Sequence, residues 1–275
     1  ASNVNFTRAF QSSGLTSFPA LDLSTGTTFA NSFTSSALTS FPDGIKMGTA
    51  ATGDVQFTDT WRDTTLSSFP ALDLGNGKFF NGAWRDCHEL TSFPSDIKLG
   101  TNKTGVGFSD AWRGSGLTSF PDLDLSTGNN FNFAFNGCSS LSSFPSGAKL
   151  GTSSSNVQFL DTWKLSGLTS FPADIDLSKG TYFRSAWRQS ALTSFPAIES
   201  LKNGANFSNG WLSCASLTDF AAVFTNWNPA SIASGVFDGS WDGCAALSAQ
   251  SVENILTSID ASGKYATNNG ASGGT

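Results

Sequence analysis

Residues 84–94 read Trp84-Arg85-Asp86-Cys87-His88-Glu89-Leu90-Thr91-Ser92-Phe93-Pro94, and variants of this string recur along the chain of 275 residues. Its Phe-Pro ending returns at intervals of 23 to 28 residues. Short and long intervals alternate, so the higher-order period is 51 residues, as from Phe18 to Phe69. The motif occurs at Phe18-Pro19, Phe41-Pro42, Phe69-Pro70, Phe93-Pro94, Phe120-Pro121, Phe144-Pro145, Phe171-Pro172 and Phe195-Pro196, and Phe220-Ala221 continues the series without the proline.

A second aromatic motif, Phe-x-x-x-Trp/Phe, runs in phase with the first and defines ten units. Its i, i+4 spacing predicts that both rings of a pair lie on one face of a single helical turn. The pairs are Phe6/Phe10, Phe29/Phe33, Phe57/Trp61, Phe80/Trp84, Phe108/Trp112, Phe131/Phe135, Phe159/Trp163, Phe183/Trp187, Phe207/Trp211 and Phe237/Trp241.

The remainder of each unit predicts short strands and turns. Alternating pieces such as Leu21-Asp22-Leu23 and Ile45-Lys46-Met47 indicate strands with one buried face. Gly-containing turns such as Ser24-Thr25-Gly26 return the chain to the next phenylalanine. A unit this short cannot bury its own core, whereas units stacked at ~4.8 Å form continuous ladders in a rod roughly 50 Å long. The sequence therefore predicts an α/β repeat solenoid of about ten units of 23–28 residues.

The end of the chain predicts a helix that covers the last coil. Ser248 or Ser251 is suited to the N-cap and Gly263 to the C-terminal stop. The apolar residues follow the spacing i, i+3, i+4, i+7 of an amphipathic helix in the series Val252, Ile255, Leu256 and Ile259. We expect three segments: the solenoid over 1–247, a C-terminal capping helix over 248–263 and a flexible Gly/Ser/Asn-rich tail over 264–275.

The beginning of the chain carries no corresponding cap. It starts at Ala1 rather than at Met and in mid-unit, which indicates processing or excision from a longer chain. Because terminal coils need a polar cap, we expect another domain before Ala1 or a partner over this end. The candidate assembly end consists of Phe6, Phe10, Leu15 and Phe18.

Two strings resemble the BspA-type leucine-rich repeat, which repeats aromatic-x-x-Cys-x-x-Leu-x-x-apolar in units of this length. They are residues 84–94 and the string Phe135-Asn136-Gly137-Cys138-Ser139-Ser140-Leu141-Ser142-Ser143-Phe144-Pro145. The closing segment 247–256 looks like that of related proteins from marine bacteria and their phages. The resemblance implies a right-handed leucine-rich-repeat-like coil in a surface adhesin or a tail-associated binding protein. This chain departs from many relatives by carrying Phe-Pro in place of Ile-x-Ile-Pro.

Composition excludes several classes of function. The net charge of −6 argues against nucleic acid as a partner, because phosphate binding needs a basic stripe. No apolar run approaches the ~18 residues of a membrane span, so no membrane insertion is expected. Low charge with 25 phenylalanines indicates a folded chain, since there is ample apolar surface to offset the ordering entropy.

Cysteine and histidine usage gives no sign of a metal, a cofactor or catalysis. The four cysteines, Cys87, Cys138, Cys214 and Cys244, share one repeat position, where other units place Ser12, Ser115 and Ser190. We interpret them as buried free thiols, although Cys214 and Cys244 lie in adjacent units that a disulfide could just span. His88 is the only histidine, so neither a Ser-His-Asp triad nor a zinc site is expected. The aspartates sit at repeating positions, which indicates a structural role rather than a glycosidase site.

The strand charges alternate in sign along the stack and form the candidate binding face. If the strands are in register, each lysine lies between two aspartates of neighbouring coils. The pattern indicates a ladder of ion pairs that fixes register, or alternatively a mixed-charge face for a polar ligand such as a glycan. The series is Asp22, Lys46, Asp73, Lys98, Asp124, Lys149, Asp176 and Glu199.

Hydroxyl pairs before each Phe-Pro form a further ladder, from Thr16-Ser17 to Thr193-Ser194. We interpret it as a solvated strand face, with ice binding as a minor alternative. A basic residue follows the tryptophan in several units, as with Arg62 and Lys164, and we expect its stem to lie over apolar surface.

Three functions from different classes fit these patterns. The first is a non-enzymatic binding module, extracellular or on a cell or virion surface, that recognises a host glycan or protein through a strand face. The second is a structural component that self-associates or docks through the N-terminal coil. The third, a polysaccharide-degrading enzyme, is the least supported, because no cofactor, metal or catalytic residue is indicated.

Overall fold

The computed structural model describes residues 4–264, which form a parallel β-solenoid of about nine turns closed by one C-terminal helix. A repeat solenoid and a C-terminal helix are confirmed, with about nine turns where the sequence predicts about ten units. The predicted tail 264–275 lies outside the described residues except for Lys264. The strands are β1 Val4–Asn5, β2 Asp22–Leu23, β3 Gly26–Thr28, β4 Lys46–Met47, β5 Val55–Gln56, β6 Asp73–Leu74, β7 Gly77–Phe79, β8 Lys98–Leu99, β9 Val106–Gly107, β10 Asp124–Leu125, β11 Gly128–Asn130, β12 Lys149–Leu150, β13 Val157–Gln158, β14 Gly180–Tyr182, β15 Ser194–Phe195 and β16 Asp219–Phe220. A 3-10 helix spans Glu199–Asn203, and helix α1 spans Ala249–Ala261.

The largest sheet is made by residues that the sequence assigned to turns. Eight strands pair in parallel in the order β1-β3-β5-β7-β9-β11-β13-β14, immediately before the first aromatic residue of each unit. Every second strand of this sheet begins with glycine, because the ring of the phenylalanine three residues later packs against that glycine. A Cβ at Gly77 would lie 2.2 Å from the ring of Phe80, so no side chain fits there.

The aromatic pairs do not lie on a helical turn. Hydrogen bonds from Ala9 N to Phe6 O (3.0 Å) and from Ser13 N to Phe10 O (3.3 Å) close successive four-residue turns. Arg8 and Ser12 have positive φ values of 58° and 54°, so the backbone is a ribbon of β-turns rather than an α-helix. The amides of the alternate residues donate to carbonyl oxygens of the next coil instead of to their own coil. These hydrogen bonds join the ribbons of successive coils.

Three columns of stacked aromatic rings form the core. Successive rings of the Phe column are parallel at centroid distances of 5.1 to 5.8 Å. Rings of the Trp column meet rings of the Phe-Pro column edge to face, as Trp61 meets Phe69 at 4.8 Å and 72°. The Phe column is Phe6, Phe29, Phe57, Phe80, Phe108, Phe131, Phe159, Phe183, Phe207 and Phe237; the Trp column is Phe10, Phe33, Trp61, Trp84, Trp112, Phe135, Trp163, Trp187, Trp211 and Trp241; the Phe-Pro column is Phe18, Phe41, Phe69, Phe93, Phe120, Phe144, Phe171, Phe195 and Phe220.

Backbone hydrogen bonds join the coils with opposite polarity on two sides of the solenoid. On the β-turn ribbon each amide donates to the following coil, as Trp84 N does to Ala111 O at 2.8 Å. On the side of the Thr/Ser pairs each amide donates to the preceding coil, as Thr118 N does to Thr91 O at 3.1 Å.

Helix α1 closes the Phe-Pro side of the last coil. Ser248 is its N-cap and accepts a hydrogen bond from the amide of Ser251, as one of the two candidates predicted. The side chains of Ser251 and Asn254 then take the place of a further strand. Ser251 Oγ accepts from Phe220 N at 2.8 Å, and Asn254 Nδ2 donates to Phe220 O at 3.0 Å. Ile255 and Ile259 are buried, whereas Val252 and Leu256 are exposed, so the packed face is narrower than predicted.

Candidate binding surfaces

Three pairs of the candidate binding face are in the predicted register. Asp22 is the Cα partner of Lys46, and the same pairing joins β6 to β8 and β10 to β12. The ion-pair distances are 4.0 Å for Asp22–Lys46, 3.3 Å for Asp73–Lys98 and 3.6 Å for Asp124–Lys149. Each of these six side chains is more than half exposed, so solvent screens each pair and the pairs contribute little to folding stability.

The expectation that each lysine pairs with two aspartates is not met. Strands pair two by two here, and within residues 4–264 no ion pair joins Lys46 to Asp73 or Lys98 to Asp124. Each lysine therefore has one aspartate partner rather than two. Hydrogen bonds from the Ser126 amide and hydroxyl, together with Lys149, lower the pKa of Asp124 against the opposing effect of its partial burial.

The last two residues of the predicted series do not continue the pairs. Asp176 lies outside a strand, and Glu199 begins the 3-10 helix. Ser200 occupies the place of the lysines: its hydroxyl donates to Ile175 O at 2.7 Å and accepts from Leu177 N at 2.9 Å. Asp176 and Glu199 instead line an open concavity of about 470 Å³.

The hydroxyl ladder is solvent-exposed and continuous. Each residue after the first donates its amide to the carbonyl oxygen of the one before it, at 2.9 to 3.5 Å, in the series Thr16, Thr39, Ser67, Thr91, Thr118, Ser142, Thr169, Thr193, Thr218 and Ser248. Several threonine hydroxyls repeat the same contact, as Thr193 Oγ1 does to Thr169 O at 3.1 Å. These hydroxyls are therefore partly engaged with the backbone of the neighbouring coil.

The basic residues after the tryptophans pair with aspartates of the β-turn ribbon. Arg113 lies 3.0 Å from Asp110, and Lys164 lies 3.3 Å from Asp161. Arg113 also lies over the ring of Phe133, at 5.9 Å from its centroid. Ion pairing therefore accompanies the predicted packing of these stems over apolar surface.

All four cysteines are buried and free, as predicted. Each thiol donates to the carbonyl oxygen of the preceding unit's tryptophan, as Cys87 does to Trp61 O at 3.0 Å. Burial raises the pKa of the Cys87 thiol to about 11, and that of Cys138 likewise. The equivalent position in the first unit is Ser13, three residues after its aromatic, and not Ser12 as predicted.

The predicted assembly end is only partly exposed. Phe6 and Phe10 stack on Phe29 and Phe33 at 5.2 and 5.4 Å, and their other faces are half-buried. Leu15 is 38% exposed. Phe18 is buried against Phe10, Phe33 and Phe41, and so does not belong to the exposed end.

A surface that the sequence reading missed is the outer face of the eight-stranded sheet. One outward position per strand forms a register-matched amide–aromatic column, in which Gln158 is the Cα partner of Asn130 and of Tyr182. Its signal in the sequence is the residue before each Phe column aromatic, which lies in a segment that the sequence predicts to be a turn. The column is Asn5, Thr28, Gln56, Phe79, Gly107, Asn130, Gln158, Tyr182 and Asn206.

At the C-terminal end of this column lies a groove of about 330 Å³. Its floor is formed by Gln158, Tyr182 and Asn206, and one wall is formed by residues 230–233. The lining consists of amides, hydroxyls and small apolar groups around one partly exposed phenol ring. This composition suits a neutral ligand that offers both hydroxyl groups and an apolar face.

Within residues 4–264 no helix is long and apolar enough to cross a membrane. The same part of the chain contains no group of three or more His, Cys, Asp or Glu residues placed to hold a metal ion. Comparisons with protein-family models, curated proteins and solved structures find no match for this chain.

Proposed function

We propose that the protein is a non-enzymatic binding module that recognises a glycan through the outer face of its eight-stranded sheet. The groove around Tyr182 is the observation that carries this proposal. An aromatic ring stacks on the C–H face of a sugar, and the amide of Gln158 offers its Oε1 acceptor and one N–H to sugar hydroxyls. Asn206 offers its Nδ2 donor, because its Oδ1 already accepts from the amide and hydroxyl of Ser208. The mixed-charge face is a weaker candidate, because its first six charged groups already pair with one another.

The proposal extends to the class and location of the protein. We place it among the BspA-type leucine-rich repeats, wound as a right-handed coil and exposed on a cell or virion surface. The aromatic-x-x-Cys-x-x-Leu pattern supports this, because Trp84, Cys87 and Leu90 are all fully buried at successive turns of one coil. The surface location rests on that resemblance, since adhesion to host glycans is what it implies.

A glycan array probed with the labelled full chain tests the proposed function. We expect binding to at least one neutral glycan, and Tyr182→Ala should weaken it by about tenfold or more, the equivalent of ~1.4 kcal/mol. Tyr182→Phe is the matched control, because it retains the ring and should retain most of the binding. Absence of binding to every glycan, or equal binding by Tyr182→Ala, would contradict the proposal.

Self-association is a second candidate, favoured by the partly exposed rings of Phe6 and Phe10 on the first described coil. The last coil offers the partly exposed rings of Phe237 and Trp241 from the same two columns. A second copy stacked head to tail would continue both columns. Light scattering should then show mass rising with concentration, and Phe10→Ser should abolish the increase; a constant monomer mass would remove this candidate.

A further inference from the structure

The long repeat units build a row of ridges beside the amide–aromatic column. Their extended turns, residues 49–54, 101–105 and 152–156, immediately precede strands β5, β9 and β13. Because long units alternate with short ones, successive ridges are two coils apart, or roughly 10 Å at the parallel-strand spacing. A notch lies between each ridge and the next, opposite the middle residue of the intervening strand.

The first notch is filled by two lysines. Lys103, from the second ridge, reaches back two coils to place Nζ 2.8 Å from Gly53 O and 3.3 Å from the Asp54 carboxylate. Its side chain is only 16% exposed. Lys78, in the intervening strand β7, donates to the carbonyl oxygen of Thr104. These contacts bridge the first ridge to the second.

The second notch has the same backbone frame and is open. Ser154 replaces Lys103, and Asn129 replaces Lys78, which leaves a cavity of about 360 Å³ lined by hydroxyl and amide groups. The groove around Tyr182 follows the last ridge and is closed by residues 230–233 instead of by a fourth ridge; we call it the third notch, and Thr181 stands there in the place of Lys78. Neither open notch is lined by a side chain that is charged at neutral pH.

The lining and the spacing point to one class of ligand. Uncharged hydroxyls and amides favour a neutral polyhydroxylated chain over an acidic or basic one. In an extended β-1,4-linked polysaccharide, alternate sugars turn their hydroxymethyl groups to the same side, and the disaccharide is about as long as two coils of the solenoid. One side of such a chain therefore presents a projecting group at the interval of the notches.

We propose that the protein binds an extended, neutral, β-1,4-linked polysaccharide along the solenoid axis, one disaccharide for every two coils. The sugar rings lie on the amide–aromatic column, over Asn130, Gln158 and Tyr182. Hydroxymethyl groups of alternate sugars enter the second and third notches, and the lysines block the first. This inference rests on the proposed glycan function and specifies its ligand class and direction.

Calorimetric titration of the full chain with hexasaccharides tests the proposal. We expect the β-1,4-linked glucose or mannose hexasaccharide to bind, and the curved α-1,4-linked glucose hexasaccharide to bind about tenfold more weakly or not at all. The variant Asn129→Lys with Ser154→Lys recreates the filled notch and should weaken binding by about tenfold. The reverse variant, Lys78→Asn with Lys103→Ser, should leave hexasaccharide binding unchanged and strengthen binding of longer β-1,4-linked chains.

The outcomes separate this inference from the function on which it rests. Glycan binding that depends on Tyr182 but is indifferent to filling the second notch, or that prefers the α-linked chain, would overturn the inference alone. Absence of binding to every glycan would overturn both. Urea unfolding of each variant, with a midpoint close to that of the parent, ensures that lost binding is not lost folding.

Discussion

The rings of Trp187 and Trp211 lie parallel, with centroids 5.1 Å apart and planes 6° from one another, although the residues are 24 positions apart in sequence. The same relation recurs through the buried part of the Trp column. Seven tryptophans of this column bury their indole Nε1 with no hydrogen-bond acceptor within the described residues. The column is therefore held by ring packing rather than by polar contacts, and two aromatic residue types are compatible with each site.

Substitution within the Trp column tests this account. Trp112→Ala removes a fully buried ring from the middle of the stack and should lower the free energy of unfolding by about 3–5 kcal/mol. Trp112→Phe should cost considerably less, because Phe135 occupies the same column one coil away and because the change removes an unpaired indole N–H. Urea titration followed by circular dichroism measures both. Equal losses for Ala and Phe would contradict the account.

The pairing of charges two by two is tested by two double-mutant cycles. The cycle on Asp73 and Lys98 should give a coupling of about 0.2–1 kcal/mol that falls in high salt. The cycle on Lys98 and Asp124 is the matched control and should give a coupling near zero, because those residues form no ion pair. Equal coupling energies in the two cycles would support the continuous ladder of ion pairs that the sequence predicts.

The cysteine position predicts both low reactivity and a dependence of stability on pH. Because burial raises the pKa of the Cys87 and Cys138 thiols to about 11, these two thiols should react slowly with a thiol reagent at pH 8 in the native protein. Guanidinium should expose all four thiols. Ser139→Cys, at the exposed residue beside Cys138, is a control that should react at once.

The sign of the pH effect follows from the same two thiols. An unfolded thiol titrates near pH ~8.5, so the unfolded chain loses protons first as the pH rises. The stabilising contribution of Cys87 and Cys138 is therefore complete below about pH 8.5 and is lost between there and pH 11. Cys87→Ser with Cys138→Ser should flatten this decline in urea titrations. An unchanged decline would mean that other groups cause it.

The contact of α1 with the last strand predicts that substitutions at two neighbouring residues of the helix have different effects on stability. Ser251→Ala leaves the buried amide of Phe220 without its acceptor and removes one of the two donors to the Thr218 carbonyl, so we expect a loss of about 1–3 kcal/mol. Gln250→Ala, on the exposed side of the helix, should change stability by less than about 0.5 kcal/mol. Similar effects of the two would show that α1 is not a cap.

Sequence periodicity predicts the stacking and the three Asp–Lys registers, because each depends on residues that recur at fixed intervals. It fails in the units of Asp176 and Glu199. Asp176 and Ser200 each lie four residues after their proline, and the hydroxyl of Ser200, rather than the carboxylate of Glu199, contacts the backbone on either side of Asp176. Composition does not predict a tertiary contact of this kind, because the contact depends on which residue of the neighbouring coil lies at that position.

The largest error concerns the backbone of the β-turn ribbon. An i, i+4 pair of aromatics indicates a helix only if the residues between them keep right-handed φ values, and Arg8 and Asn31 do not. Their left-handed conformation is stabilised by hydrogen bonds to the next coil, which a single unit cannot provide. For the same reason the sequence predicts turns where the strands before each ribbon lie, and it does not predict the surface that these strands form.

The opposed polarity of the two hydrogen-bond ladders has an electrical consequence. In an α-helix all peptide dipoles add, and the sum grows with length. Here the dipoles of the ribbon, typified by Trp84 N to Ala111 O, point against those of the hydroxyl side, typified by Thr118 N to Thr91 O. Each added coil contributes to both sets, so the two sets partly offset one another along the axis. An array of this kind therefore accumulates less opposite charge at its two ends as it lengthens than it would if all its peptide dipoles pointed the same way.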